Sequence, residues 1–129
     1  ASGMGNEAGA KGIRNEMSDL YIYHESLQDQ GEIPANGILS RTLQNDARSK
    51  VIQFTFAAGT ELTAHTAPMP ATLYVVSGEC ELQLGADTMK AGAGAFAHMT
   101  PKLEHAIRAK TQVVLLLTMI KGVAPEGAR

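Results

Sequence analysis

Residues Gly59 to Gly78 read GTELTAHTAPMPATLYVVSG. A glycine stands at each end, where the backbone can enter turn conformations that other residues resist. Leu73 to Val76 (LYVV) is β-branched and aromatic, the composition of a strand, and it runs into the turn Ser77-Gly78. Downstream the pattern repeats. Glu79 to Leu84 alternates polar residues with Cys80, Leu82 and Leu84, then turns at Gly85-Ala86-Asp87. Thr88 to Lys90 is a short strand, Ala91 to Gly94 a glycine-rich turn, and Ala95 to Met99 a further strand. His105 to Ala109 follows, and Gln112 to Lys121 (QVVLLLTMIK) is the most apolar run of the chain.

Upstream, Leu20, Ile22 and His24 alternate with Tyr21 and Tyr23 and predict a first strand. Gln28 to Gly37 carries Gly31, Pro34, Asn36 and Gly37 and predicts a loop. Ile38 to Leu43 and Val51 to Phe56 predict two more strands, separated by a turn at Asn45, Asp46 and Ala47. No segment from Tyr21 onward sustains a helical period with caps. About ten short strands at regular turn spacing predict an all-β sandwich or barrel.

The chain has 129 residues, the length of a single domain. At this size folding hides about two-thirds of the surface, enough for one core. Apolar residues make up 44% and charged residues 19%, which excludes a wholly disordered chain. Eleven Lys and Arg against 13 Asp and Glu give a net charge of −2, so nothing favours a nucleic-acid or anionic-membrane partner. No apolar run approaches the roughly 20 residues of a spanning helix. Cys80 is the only cysteine, which excludes an intrachain disulfide and a cysteine-clustered zinc site; the expected location is the cytoplasm. Residues 1–17 (ASGMGNEAGAKGIRNEM) show no period and no signal-peptide core. They are read as a flexible segment with residues of cloning origin and an original start at Met17 or Met4. The expected barrel spans 18–122, with a tail at 123–129.

The spacing of this central stretch resembles that of the cupin superfamily. The first cupin motif is Gly, five residues, His, one residue, His, three or four residues, Glu, six residues, Gly. Here Gly59, TELTA, His65, Thr66, Ala67, PMP, Ala71, TLYVVS and Gly78 follow that register. The second motif is Gly, five residues, Pro, one residue, Gly, two residues, His, three residues, Asn. Here Gly94, AFAHM, Thr100, Pro101, Lys102, Leu103-Glu104, His105 and finally Ala109 stand at those positions. The resemblance covers about Ile38 to Lys121. It implies a double-stranded β-helix, a jelly-roll barrel with an interior pocket, and a homodimer, for which the apolar first strand also argues. In cupins with complete motifs, three His and one Glu bind a divalent ion such as Mn, Fe, Ni or Zn.

Two of those four ligands are missing. His65 and His105 are kept, while Ala67 stands for the second His and Ala71 for the Glu. Two imidazoles alone make a poor divalent site, because a catalytic metal commonly has three protein ligands. His98 is the candidate third ligand, seven residues before His105, but parity alone leaves open whether it faces the barrel interior. The stretches HTAPMPA (65–71) and HMTPKLEHAIRAK (98–110) are similar to those of a small cupin subfamily, which makes the alanines a subfamily trait. Methyl groups in place of His and Glu enlarge the pocket and make it less polar. Ala67, Met69 and Ala71 are therefore expected to line it, with Phe54, Phe56, Tyr74 and Phe96 as aromatic walls where strand parity allows. Met69 and Met99 read as packing residues or soft ligands, Glu61 and Glu104 as solvated carboxylates, His24 as a surface residue and Cys80 as a small buried hydrophobe.

No nucleophile elbow, phosphate loop, EF-hand or zinc-finger spacing is present. Three functions stay open. The first is a metal-dependent dioxygenase, isomerase or lyase acting on a small organic molecule through His65, His105 and His98. The second is a metal-free binding or sensor protein using the same pocket. The third is a degenerate barrel whose role is a protein contact. A divalent metal and no cofactor at all are equally compatible with the sequence.

Overall fold

A computed structural model of the chain describes residues 20–27 and 37–122 and the backbone of Ile13 and Arg14. The rest of the 1–17 segment and the 123–129 tail lie outside the described residues. The described residues form eleven strands: β1 (Ile13–Arg14), β2 (Ile22–Tyr23), β3 (Ile38–Asn45), β4 (Ser49–Phe56), β5 (Glu61–His65), β6 (Ala71–Ser77), β7 (Glu79–Leu84), β8 (Asp87–Gly92), β9 (Phe96–Met99), β10 (His105–Ala109) and β11 (Val113–Ile120). Among the described residues no helix is long and apolar enough to cross a membrane.

All strand pairs are antiparallel. One sheet runs β3-β4-β11-β6-β9, a second runs β5-β10-β7-β8, and β1 and β2 form a separate two-stranded ribbon. The inner faces of the two larger sheets meet in one core. Phe56, Leu73, Val75, Val113 and Leu115 come from the first, and Cys80, Leu82, Ile107 and Ala109 from the second. This is the all-β architecture the turn spacing predicts, in the jelly-roll form that the cupin resemblance implies. Burial pushes the Cys80 thiol above its ordinary pKa, so it sits in the core as a protonated hydrophobe.

Two local readings change. The predicted first strand contracts to Ile22–Tyr23, with both side chains exposed, because it pairs only with the two residues of β1. The predicted turn at 91–94 narrows to Ala93-Gly94, because β8 stays paired with β7 as far as Gly92. Strand β5 is an addition. Its residues ELTAH alternate too weakly to announce a strand, and β10 organises it by pairing.

Alternation of side chains fixes what lies inside. Across the larger sheet, Met119 pairs with Ala71 and Ala71 with Met99, forming one inward row. The adjacent register row, Thr118, Thr72 and His98, carries the opposite parity. The row Gln53, Leu116, Tyr74 and Phe96 also faces out, and there Tyr74 is 41% and Phe96 66% exposed. Gln53 is nonetheless buried, since its amide donates to the Leu27 carbonyl oxygen and accepts from Arg41. His24, half-buried, has its imidazole held below the ordinary pKa by burial and by the Arg41 cation.

Gly78 closes β6 onto β7 with φ of 91° and presses against the start of β11. A Cβ there would lie 2.1 Å from the Gln112 carbonyl oxygen and 2.8 Å from the Val113 Cα. Both obstacles are backbone and cannot swing away. Gly78→Ala is therefore expected to lower stability by about 3 kcal/mol or more in urea denaturation, and an effect below about 1 kcal/mol would contradict this packing.

Candidate functional site

Two histidines on adjacent strands begin the site. His65 ends β5 and His105 begins β10, and the two are register partners. Their rings lie 4.3 Å apart between centroids, inclined at 57°. A bulge makes the pairing work. Ile107 pairs with Leu62 and His105 with His65, so three residues of β5 span two of β10. The extra residue puts His65 on the same face as Leu62, although an i, i+3 spacing in a regular strand would put them on opposite faces.

Each ring is held by the same local device. His65 Nδ1 lies 3.0 Å from the carbonyl oxygen of Thr63, and His105 Nδ1 lies 2.9 Å from that of Leu103. A carbonyl oxygen can only accept, so Nδ1 carries the proton in both. In the neutral imidazole Nε2 is then a bare lone pair, and neither Nε2 has a hydrogen-bond partner among the described residues. His105 is 6% exposed and lies deep, whereas His65 is exposed at the mouth.

The loop before His105 sets that geometry. Leu103 N–H donates to Thr100 O across Pro101 and Lys102. Proline second and a positive φ third is the arrangement of a type II turn. Lys102 fills the third place with φ of 70°, the position where the second motif carries glycine. The same residue's N–H donates to Ala67 O at 2.7 Å, and Gly85 N–H donates to Glu104 O at 2.7 Å. Three loops are thereby stitched together around the mouth.

Behind the histidines lies a cavity of about 180 Å³. Ala67, Met69 and Ala71 line it. The neighbouring strands and loop add Met99, Thr100, Leu103, Leu117 and Met119. Seven of the ten lining residues are apolar, and none carries a carboxylate or a thiol. Met119 and Leu117 were missed by the sequence reading. Their signal is the period-two match to Leu115 in β11, usable once the inward face is known.

Other candidates are placed elsewhere. His98 is exposed, while its neighbour Met99 lines the cavity, so His65, His105 and His98 do not converge. Tyr74 and Phe96 occupy the outer face, and Phe56 is fully enclosed in the core with Phe54 tilted against it at 6.2 Å. None of these four aromatics lines the cavity. Glu61 lies with Glu81 and Arg108 in a groove on the outside of the smaller sheet, and Glu104 is exposed. Among the described residues no three of His, Cys, Asp and Glu gather as a metal-holding group.

The sequence profile described as the cupin domain matches residues 52–121. The chain belongs to the cupin family. Solved structures agree on the fold. A conserved protein of unknown function from Streptococcus pyogenes is 24% identical with a TM-score of 0.72, covering 91% of this chain and 99% of that one. A cupin superfamily protein from Desulfitobacterium hafniense is 19% identical with a TM-score of 0.67, covering 70% and 84%. KdgF from a Halomonas species is 16% identical with a TM-score of 0.63, covering 70% and 85%. No curated protein matches the sequence significantly.

The donor set of this cupin does not fit the divalent ion that cupins with complete motifs hold with three His and one Glu. Two imidazoles remain, and methyl groups of Ala67 and Ala71 line the cavity at the positions of the lost ligands. A divalent charge in this apolar cavity would have no carboxylate to offset it.

Lys102 holds a left-handed backbone that costs a side-chain-bearing residue about 1 kcal/mol. Lys102→Gly is expected to raise the melting temperature by about 2–4 °C after the added entropy of glycine is counted. A lower melting temperature for that variant would show that Lys102 contributes through its side chain instead.

Proposed function

We propose that this cupin is a binding protein for a small, largely apolar molecule, anchored at one polar point by the His65–His105 pair. The observation that carries the reading is the cavity itself. It is apolar except for Thr100 and two imidazoles, and its volume of about 180 Å³ suits a single-ring ligand.

The chemistry follows from the tautomers. Each Nδ1–H is committed to a backbone carbonyl, so each ring offers Nε2 as an acceptor. A ligand hydroxyl or N–H group satisfies one or both, while its ring packs on Met69, Met99, Leu117 and Met119. Methionine suits such a wall because its unbranched side chain repacks around ligands of different outline. Acid–base turnover in the manner of a dioxygenase, isomerase or lyase has less support, because no carboxylate lines the cavity to pair with the imidazoles. An occupant of about ten non-hydrogen atoms has an expected Kd of about 10 µM to 1 mM.

Phenol and toluene make the test, because they differ by one hydroxyl. Followed by methyl NMR of Leu117 and Met119, phenol is expected to bind about tenfold more tightly than toluene in the wild type. That preference should vanish in the His65→Leu/His105→Leu variant, and Ala71→Phe should block both ligands. Equal binding of the two in the wild type, or undiminished binding in Ala71→Phe, would refute the reading.

A further inference from the structure

Four methionines lie among the described residues, and three of them, Met69, Met99 and Met119, line the cavity. Their placement follows from the sheet. Met119 and Met99 are the cross-strand neighbours of Ala71, one on each side, and Met69 precedes it by two residues. Ala71 is the position where the first motif carries its only acidic residue. Three uncharged thioethers therefore gather around the place from which a carboxylate has been removed. His65 and His105 line the same cavity with both Nε2 lone pairs free.

A histidine that ligates a metal commonly donates its other ring N–H to a backbone carbonyl, which fixes the ring and raises the basicity of the ligating nitrogen. Both histidines here have that support without the carboxylate a divalent ion would need. Thioether sulfur and imidazole nitrogen are soft to borderline donors, and both are neutral. Charge points the same way. The cost of moving an ion into an apolar surrounding grows with the square of its charge, so a doubly charged ion pays about four times as much as a singly charged one.

We propose that the cavity holds one monovalent soft ion, Cu(I), bound by Nε2 of His65 and His105 with one or two thioether sulfurs drawn from Met69, Met99 and Met119. The inference rests on the binding reading above in one respect, the availability of the two Nε2 lone pairs. It replaces the hard and borderline preference of the family's site with a soft one. Filled d-orbitals impose no fixed geometry on Cu(I), so flexible methionines can close on it from the wall opposite the imidazoles.

The test titrates the full chain anaerobically with Cu(I) against the chelator bicinchoninate, with Zn(II) and Mn(II) measured in parallel. The wild type is expected to bind one equivalent of Cu(I) at least about 100-fold more tightly than Zn(II). A Met69→Leu/Met99→Leu/Met119→Leu variant keeps the side-chain volumes nearly unchanged. It is expected to lose about 100-fold or more in Cu(I) affinity. No Cu(I) binding, Zn(II) binding as tight as Cu(I), or unchanged Cu(I) affinity in the triple variant would each overturn the proposal. X-ray absorption at the copper edge of the wild type needs no variant to fold. Sulfur scatterers are expected, and a shell of nitrogen and oxygen alone would overturn the site. Phenol binding without Cu(I) binding would remove the metal inference and leave the pocket reading standing. Loss of neither ligand in His65→Leu/His105→Leu would remove both.

Discussion

The site depends on one geometric constraint, the alternation of side chains between the two faces of a strand. The inward row Met119, Ala71 and Met99 is continuous across three strands. Move the register by one residue and Thr118, Thr72 and His98 would line the cavity instead. The bulge in β5 breaks the alternation beside the site and brings His65 onto the face it shares with Leu62 and its register partner His105. Turn, bulge and register thus act together. The type II turn at 100–103 presents the Leu103 carbonyl, that carbonyl holds His105, and the bulge sets His65 beside it.

The loss of two ligands changes the character of the pocket more than its shape. In a jelly-roll with a carboxylate at position 71, buried charge would call for a cation of matching charge. With alanine there, no carboxylate lines the cavity, and the two imidazoles are its strongest polar groups. A neutral, polarisable interior discriminates by softness and by hydrogen-bond donation, not by charge. The histidines are poised for such a role because their Nδ1–H groups are already committed to Thr63 and Leu103.

Much of this was legible before any coordinates. Strands β7 and β10 match the readings from alternation and turn residues, and the motif register singles out His65, Ala67, Ala71 and His105, which line the cavity together with Met69. What was not legible depended on parity. The sequence shows that His98 and Met99 face opposite ways, but only pairing with β6 decides which faces in. Tyr74 and Phe96 suffer from the same ambiguity, since an aromatic residue serves equally well on an inner or an outer face. Met119 hides within an apolar run whose two faces look alike in sequence. Strand β5 escaped because its pairing with β10, and not its own composition, makes it a strand.

The central claim is that both rings present an unprotonated Nε2 to the cavity. Long-range ¹H–¹⁵N correlation NMR of the histidine rings in the metal-free protein tests it directly, at a pH where the rings are neutral. The account predicts the Nδ1–H tautomer for His65 and His105 alike. An Nε2–H tautomer at either residue would contradict it, because that ring would then have no lone pair to offer a ligand or an ion.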